Sequence, residues 1–152
     1  MDLWPVDEKG NPMYGNVDFL DTWRGMEECV KLGLTKSIGL SNFNSQQIGR
    51  VLSIAEIKPV MNQVECHPNL NQKKLRDFCA QRGISITAYS PFGSPRRIWA
   101  KSTDPQVTIE APEIVAIGQK YGKSPAQVVL RYLVIYFIII YIHPFILNVI
   151  TT

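Results

Sequence analysis

Apolar residues recur at spacings of three and four along much of the chain, which is the period of an amphipathic helix. Between residues 20 and 34 they fall on one helical side, at positions that include Trp23, Met26 and Leu34. The same period predicts four more helices, over residues 45–55, 72–83 and 113–121 and from Ser124 onward.

Short apolar segments of strand length lie between the first helices. They cover residues 36–43, 60–66 and 84–90, and the last of them is rich in β-branched residues and is stopped by Pro91. Helix and strand therefore alternate with short connections, which indicates right-handed βαβ units and a parallel sheet. A doubly wound sheet and a (β/α)₈ barrel both satisfy this pattern, and period and spacing do not separate them.

The charged residues end abruptly at Arg131. No Asp, Glu, Lys or Arg occurs in residues 132–152, which are rich in isoleucine, whereas all 16 basic and 13 acidic residues lie before that point. We therefore expect a domain over residues 1–131 and a separate uncharged, helix-like tail over residues 132–152.

Three interpretations of the tail stay open. Its length and lack of charge suit a membrane-spanning helix, and the basic residues before it would keep the main body in the cytoplasm. Pro144 and Asn148 interrupt the run, however, and its composition is also typical of AT-rich read-through or frameshifted coding sequence. A buried helix or a partner-binding segment is the third interpretation.

Composition excludes several classes of protein. With 45% hydrophobic and 19% charged residues, the chain is globular rather than disordered. The net charge of +3 is dispersed and forms no basic run, so we expect no nucleic-acid partner. Three widely spaced cysteines without a Cys-x-x-Cys pair favour reduced thiols in a cytoplasmic setting over a disulfide framework or a metal site.

Polar side chains stand where each predicted strand ends. Ser41 and Asn42 end the first strand, Gln63 lies in the second, and Tyr89 ends the third. In parallel sheets ligands collect at the carboxyl ends of the strands. Amide side chains offer a donor and an acceptor in one plane, which suits a primary carboxamide, and a tyrosine ring offers a flat face for stacking. The set would suit a nicotinamide ring.

A simpler interpretation is that Asn42 and Gln63 only cap backbone groups in loops. No Gly-x-Gly-x-x-Gly fingerprint is present, so a Rossmann nucleotide site is not supported and the barrel is favoured over the doubly wound sheet.

Three segments resemble the aldo-keto reductase family. Residues 26–43 (MEECVKLGLTKSIGLSNF) are similar to a family signature, and residues 62–68 (NQVECHP) and 88–94 (AYSPFGS) resemble the next two strand-end motifs in the same order. The resemblance covers residues 3–131. It implies an α/β fold, a partial (β/α)₈ TIM barrel with about three parallel strands and their helices, and reduction of aldehydes and ketones with NADPH.

The resemblance also implies site residues. Ser41, Asn42 and Gln63 would hold the nicotinamide carboxamide, and Tyr89 would stack on the ring. Ser90, Phe92 and Ser94 would form the pyrophosphate loop. Trp99 would lie at the rim of the substrate pocket.

The family's catalytic Asp, Tyr, Lys and His match no position of this chain, because the opening residues resemble the loop after the fourth barrel strand. The basic residues that bind the adenosine 2′-phosphate should follow Arg131, where the sequence departs from the family pattern. We therefore expect weak NADP(H) binding and no activity from this chain alone. The alternatives are a truncated gene product and a non-catalytic interaction protein, membrane-tethered or self-associating through open sheet edges.

Overall fold

The structure is a computed structural model that describes residues 5–13, 15–93, 108–135 and 138–140. Helices and parallel strands alternate through these ranges. The helices are α1 (Phe19–Lys31), α2 (Ser45–Ile54), α3 (Lys73–Ala80), α4 (Pro112–Tyr121) and α5 (Pro125–Ile135). The strands are β1 (Leu40–Ser41), β2 (Met61–Glu65), β3 (Ser85–Tyr89) and β4 (Ile138–Ile140), and a 3-10 turn covers Thr108–Glu110.

Capping side chains define where two of the helices begin. At α2 the side chain of Asn44 accepts from the Gln47 backbone, and the side chain of Gln47 accepts from the Asn44 backbone, both at 2.9 Å. Ser124 and Gln127 form the same reciprocal pair before α5, at 2.9 and 3.2 Å. Each pair satisfies two backbone N–H groups that the first helical turn leaves without partners. The predicted start of α5 is confirmed.

All four strands run parallel in the order β1-β2-β3-β4. Alternate residues of β2 face opposite sides of the sheet, so Asn62 and Val64 are buried while Gln63 and Glu65 are only half-buried. The buried side packs against α2 and α3 in a core that includes Ile48, Val51, Cys79, Ile86 and Ala88. The alternating parallel architecture and the three predicted strands are confirmed.

Two features of the first helix differ from the prediction. Helix α1 ends at Lys31, and Leu34 lies beyond it, 73% exposed. Besides Trp23, the buried residue of α1 is Glu27, whose carboxylate accepts from the Trp23 indole at 3.1 Å and from the Ile57 backbone at 2.8 Å. Periodicity misses Glu27 because a charged residue is buried only when it has partners of this kind.

The prediction of a helix-like tail over residues 132–152 is wrong for part of that range. Helix α5 ends at Ile135, and Ile138–Ile140 form β4, which pairs with β3 in register Ile86 to Ile138. An isoleucine run satisfies a buried parallel strand as well as an apolar helix, since β-branched residues favour strands. In the part of the chain that the structure describes, no helix is long and apolar enough to cross a membrane. Residues 141–152 lie outside that part.

Candidate functional site

The carboxyl ends of β1, β2 and β3 bring the predicted residues to one edge of the sheet. Backbone register sets Ser41 beside Gln63, and Glu65 beside Tyr89 on the next strand. Ser41 and Asn42 are exposed, whereas Gln63 and Tyr89 are half-buried. Ser41, Gln63 and Tyr89 thus lie on three adjacent strands, and Asn42 directly follows the first of them.

Asn42 turns the chain sharply at the end of β1. Its φ of 60° lies in the left-handed region, which asparagine tolerates better than most residues. Its backbone N–H donates to the Gln63 carbonyl at 2.8 Å, so the turn stays attached to β2. The position of the Asn42 side chain is therefore set by the backbone of two strands.

A side-chain hydrogen bond joins Asn42 to Tyr89. The tyrosine hydroxyl donates to Asn42 Oδ1 at 3.0 Å, although the two residues are 47 positions apart. The bond links the ends of β1 and β3 across β2. It holds the Asn42 amide beside the tip of the tyrosine side chain.

The amide that caps a loop is Asn62, which lies one position before Gln63 in β2. It is completely buried; its Nδ2 donates to the Phe43 carbonyl at 2.9 Å, and its Oδ1 accepts from the Phe43 N–H at 3.4 Å. The backbone-capping interpretation therefore holds for Asn62, whose role the sequence analysis missed. The alternation of side chains along a strand could have distinguished the two amides, because residues 62 and 63 must point to opposite sides of the sheet.

Gln63 is placed differently. Within the described residues no hydrogen bond to its side chain is present, so its carboxamide is available to a ligand at the half-buried side of β2. Thr87, the register neighbour of Gln63 on β3, is buried and contacts Met61 Sδ through its hydroxyl at 3.4 Å. Gln63 on β2 and Thr87 on β3 thus place polar side chains next to each other in the middle of the two strands.

A tight turn follows Tyr89. Ser90 has a φ of 48° and its carbonyl accepts from the Gly93 N–H at 2.8 Å; Gly93 itself has a φ of 77°. Phe92 is half-buried and packs against the core, so its ring anchors the turn. Ser94 and Trp99, predicted for the pyrophosphate loop and the pocket rim, lie outside the described residues.

Beyond Glu65 the chain makes a short loop that closes on itself. His67 and Leu70 exchange two backbone hydrogen bonds at 2.8 and 3.2 Å, and His67 Nε2 lies 3.5 Å from Glu65 Oε1. Cys66 lies between Glu65 and His67 in the chain. Burial raises the pKa of its thiol, which is therefore protonated at neutral pH. These contacts support a structural role for this segment next to the candidate site.

The side chains of Ser41, Asn42 and Gln63 give this edge neutral hydrogen-bond donors and acceptors. Amide and hydroxyl groups of this kind are suited to a neutral polar ligand. Among the described residues no group of three or more His, Cys, Asp and Glu side chains could hold a metal ion. The arrangement fits a planar ligand that carries an amide.

Comparison with known proteins gives a consistent result. The model of the Aldo/keto reductase family matches residues 4–142. The chain is 51% identical over 130 residues to aldo-keto reductase family 1 member A1 of Xenopus tropicalis and 52% identical over 130 residues to that of Gallus gallus. Each alignment covers 86% of this chain and 39% of the relative. The human protein of the same name is 44% identical over 129 residues, which is 85% of this chain.

The chain thus spans about two fifths of the length of the curated relatives it matches. The family match runs past Arg131 and includes β4, so part of the uncharged tail belongs to the matched region. The parallel sheet with its outer helices is a partial (β/α)₈ TIM barrel, in agreement with the resemblance. This chain belongs to the aldo/keto reductase family.

Proposed function

We propose that this chain supplies the nicotinamide-binding part of a reductase that converts aldehydes and ketones to alcohols with NADPH. The family match and the relatives' names support carbonyl reduction as the reaction class. The observation that carries the proposal is the Tyr89 to Asn42 hydrogen bond, which joins two of the predicted residues across β2 with Gln63 between them.

The residues fit the group that they would hold. A carboxamide needs an acceptor for its N–H₂ and a donor for its oxygen, and Asn42 and Gln63 each offer both. Ser41, exposed and in register with Gln63, adds a hydroxyl to the set. Tyr89 lies beside these groups with its ring half-buried, and it can stack on an aromatic ligand whose amide reaches them.

When bound, the cofactor supplies a hydride to the carbonyl carbon of the substrate. This chain's residues would bind and orient it. Asn42 and Gln63 would hold the carboxamide and limit its rotation, and the Tyr89 ring would stack on the nicotinamide. Ser90, Phe92 and Ser94 are proposed for the pyrophosphate loop and Trp99 for the pocket rim, on the family resemblance alone.

We expect no turnover from these 152 residues alone. The resemblance assigns no residue of the chain to the family's acid-base machinery. Affinity for the cofactor should be weak, because the basic residues expected to bind the 2′-phosphate are absent from the sequence after Arg131. Each charge-assisted contact of that kind contributes about 1.5–3 kcal/mol.

Titration of the full chain with NADPH tests the proposal. Saturable quenching of tyrosine and tryptophan fluorescence at submillimolar to millimolar cofactor is expected, and Tyr89→Leu should weaken binding. Ser53→Ala, an exposed substitution in α2, is the matched control and should leave binding unchanged. Absence of saturable binding at millimolar NADPH, or equal binding by Tyr89→Leu, would contradict the proposed half-site.

Self-association through open sheet edges is a second candidate, and one observation favours it. Strand β1 ends the sheet and pairs only with β2 in the described ranges, which leaves one side of its backbone for another strand. Sedimentation velocity over a range of concentrations should then show a reversible dimer. A single monomeric species at all concentrations would contradict it.

A further inference from the structure

The sheet has two outer strands, and each pairs on one side only within the described ranges. Strands β1 and β4 stand at the two ends of the order β1-β2-β3-β4, and all four strands are parallel. At β1 the Asn42 N–H bonds to β2, and the Ile38 carbonyl bonds to the residue before β2. Because backbone groups alternate in direction along a strand, those of Gly39 and Ser41 point away from β2 and can bond to another strand.

Exposed apolar side chains border both of these edges. Leu32 and Leu34 follow α1 and precede β1, whereas Val134 and Ile135 end α5 and precede β4. All four side chains are at least half exposed. Among the described residues, the middle helices α2 and α3 carry no exposed large apolar side chain. Each open edge therefore has an apolar border, which is typical of a surface that contacts another protein.

The two apolar borders lie at the same level of the sheet. Each follows or ends a helix and directly precedes a strand, so both lie near the amino ends of parallel strands. Helix α1 packs on α2 at one end of the helix layer, and α5 packs on α4 and β4 at the other end. A second sheet that joined edge to edge in the same direction would therefore bring the border beside β1 against the border beside β4.

We propose that two copies of this chain join in a two-fold dimer, in which β4 of each copy pairs with β1 of the other and the two sheets close into one eight-stranded parallel barrel. The inference rests on the self-association candidate and commits it to one geometry. Eight is the number of parallel strands with which the (β/α)₈ fold closes, and four is half of it. A closed barrel leaves no strand edge open.

Other ways of joining two copies cover less of the exposed surface. A dimer that paired β1 with β1 would leave both β4 edges open, and Val134 and Ile135 would stay exposed. Head-to-tail pairing without closure would continue into a growing chain of copies. Two-fold closure repeats one junction twice, and it covers both edges and both apolar borders.

The test exchanges charges across the proposed junction and measures the dimer by sedimentation velocity on the full chain without cofactor. Leu34→Glu combined with Ile135→Glu places like charges at each junction and should raise the dimer Kd at least about tenfold. Leu34→Lys combined with Ile135→Glu places opposite charges there and should return the Kd to within about threefold of the unaltered chain. Leu70→Glu, an exposed apolar residue between β2 and α3, is the control and should leave the Kd unchanged.

Hydrogen exchange on the unaltered chain gives a second, independent measurement. The Gly39 and Ser41 amides should exchange more slowly as the concentration rises through the range in which the dimer forms, because the pairing with β4 protects them. Far-UV circular dichroism checks the fold of each variant. Should a double variant fail to fold, the exchange of these two amides decides.

The outcomes separate this geometry from the other proposals. Monomers at all concentrations would overturn it together with the self-association candidate, and the nicotinamide half-site is independent of that result because no cofactor is present. Dimers that both double variants weaken equally, or whose Gly39 and Ser41 amides exchange as fast as in the monomer, would keep self-association and overturn the pairing of β1 with β4. Species of more than two copies would overturn closure.

Discussion

Two asparagines lie on or directly after neighbouring strands, and their surroundings are opposite. Asn62 in β2 is completely buried and both ends of its amide bind the Phe43 peptide. Asn42 after β1 is exposed, and its amide contacts only the tip of Tyr89 among the described residues. The same chemical group thus holds a loop in one place and remains able to meet a ligand in the other.

The difference teaches how a binding edge is built on a parallel sheet. The buried amide replaces water as the partner of a loop peptide, and this fixes the loop without using surface groups. The exposed amide is carried by a backbone whose N–H is bound to β2. Stability and binding are therefore expected to separate, with the largest stability effect at Asn62 and the binding effects at Tyr89 and Asn42.

The largest expected effect is on stability. Asn62→Leu keeps the volume of the side chain but leaves the N–H and the carbonyl of Phe43 without their partners. We expect the free energy of unfolding to fall by about 3 kcal/mol, the cost of two polar groups that lose hydrogen bonds away from water. Urea denaturation of the variant and the unaltered chain measures it. A loss below about 0.5 kcal/mol would show that the loop does not depend on Asn62.

The next effect is on binding. Tyr89→Ala removes the ring proposed to stack on nicotinamide, and the dissociation constant for NADPH should rise about tenfold, since a stacked aromatic pair contributes about 0.5–1.5 kcal/mol beyond the area that it buries. Isothermal titration calorimetry measures the constant. Phe78→Ala, in α3, is the control for losing a half-buried ring, and an equal effect there would contradict a specific role for Tyr89.

Asn42→Gly sharpens the comparison with Asn62. Because glycine adopts the φ of 60° freely, the free energy of unfolding should change by less than about 0.5 kcal/mol, whereas NADPH binding should weaken by about threefold to tenfold. Both quantities come from the urea and calorimetry measurements on one preparation. A large stability loss with unchanged binding would make Asn42 a structural residue like Asn62.

The smallest effect concerns pH. Burial raises the pKa of the Cys66 and Cys79 thiols above the ordinary value of 9.0. The unfolded chain therefore releases these protons at a lower pH than the folded chain does, and the free energy of unfolding should decline as pH rises above 9. Cys66→Ser and Cys79→Ser should each flatten that decline in urea titrations between pH 8 and 10. An unchanged slope in both variants would contradict it.

Much of this architecture could be predicted from sequence because period and capping act locally. The reciprocal caps at Asn44 and Ser124 and the strand ends at Ser41 and Tyr89 follow from residues close in the chain. The burial of Glu27 and Asn62 could not be predicted in this way, since each depends on a backbone group at least 19 positions away. The strand at Ile138–Ile140 was missed because a continuous isoleucine run carries no period.

The hydrogen bond between Tyr89 and Asn42 could not be predicted from the sequence for the same reason. Both residues were predicted as site residues from their strand ends, but their contact spans 47 positions and depends on the register of three strands. Sequence pattern therefore predicts both residues, and only the assembled sheet shows that they meet.

The most direct test of the nicotinamide half-site is a map of where the cofactor binds. Titration of the ¹⁵N-labelled full chain with NADP⁺ should produce saturable amide shifts concentrated at residues 41–43, 63 and 89–93, and Asn42→Gly should weaken them. Shifts centred instead on the groove between the starts of α2 and α3, lined by Lys73 and Lys74, would contradict the account, as would a chain that shows no saturable shift at millimolar cofactor.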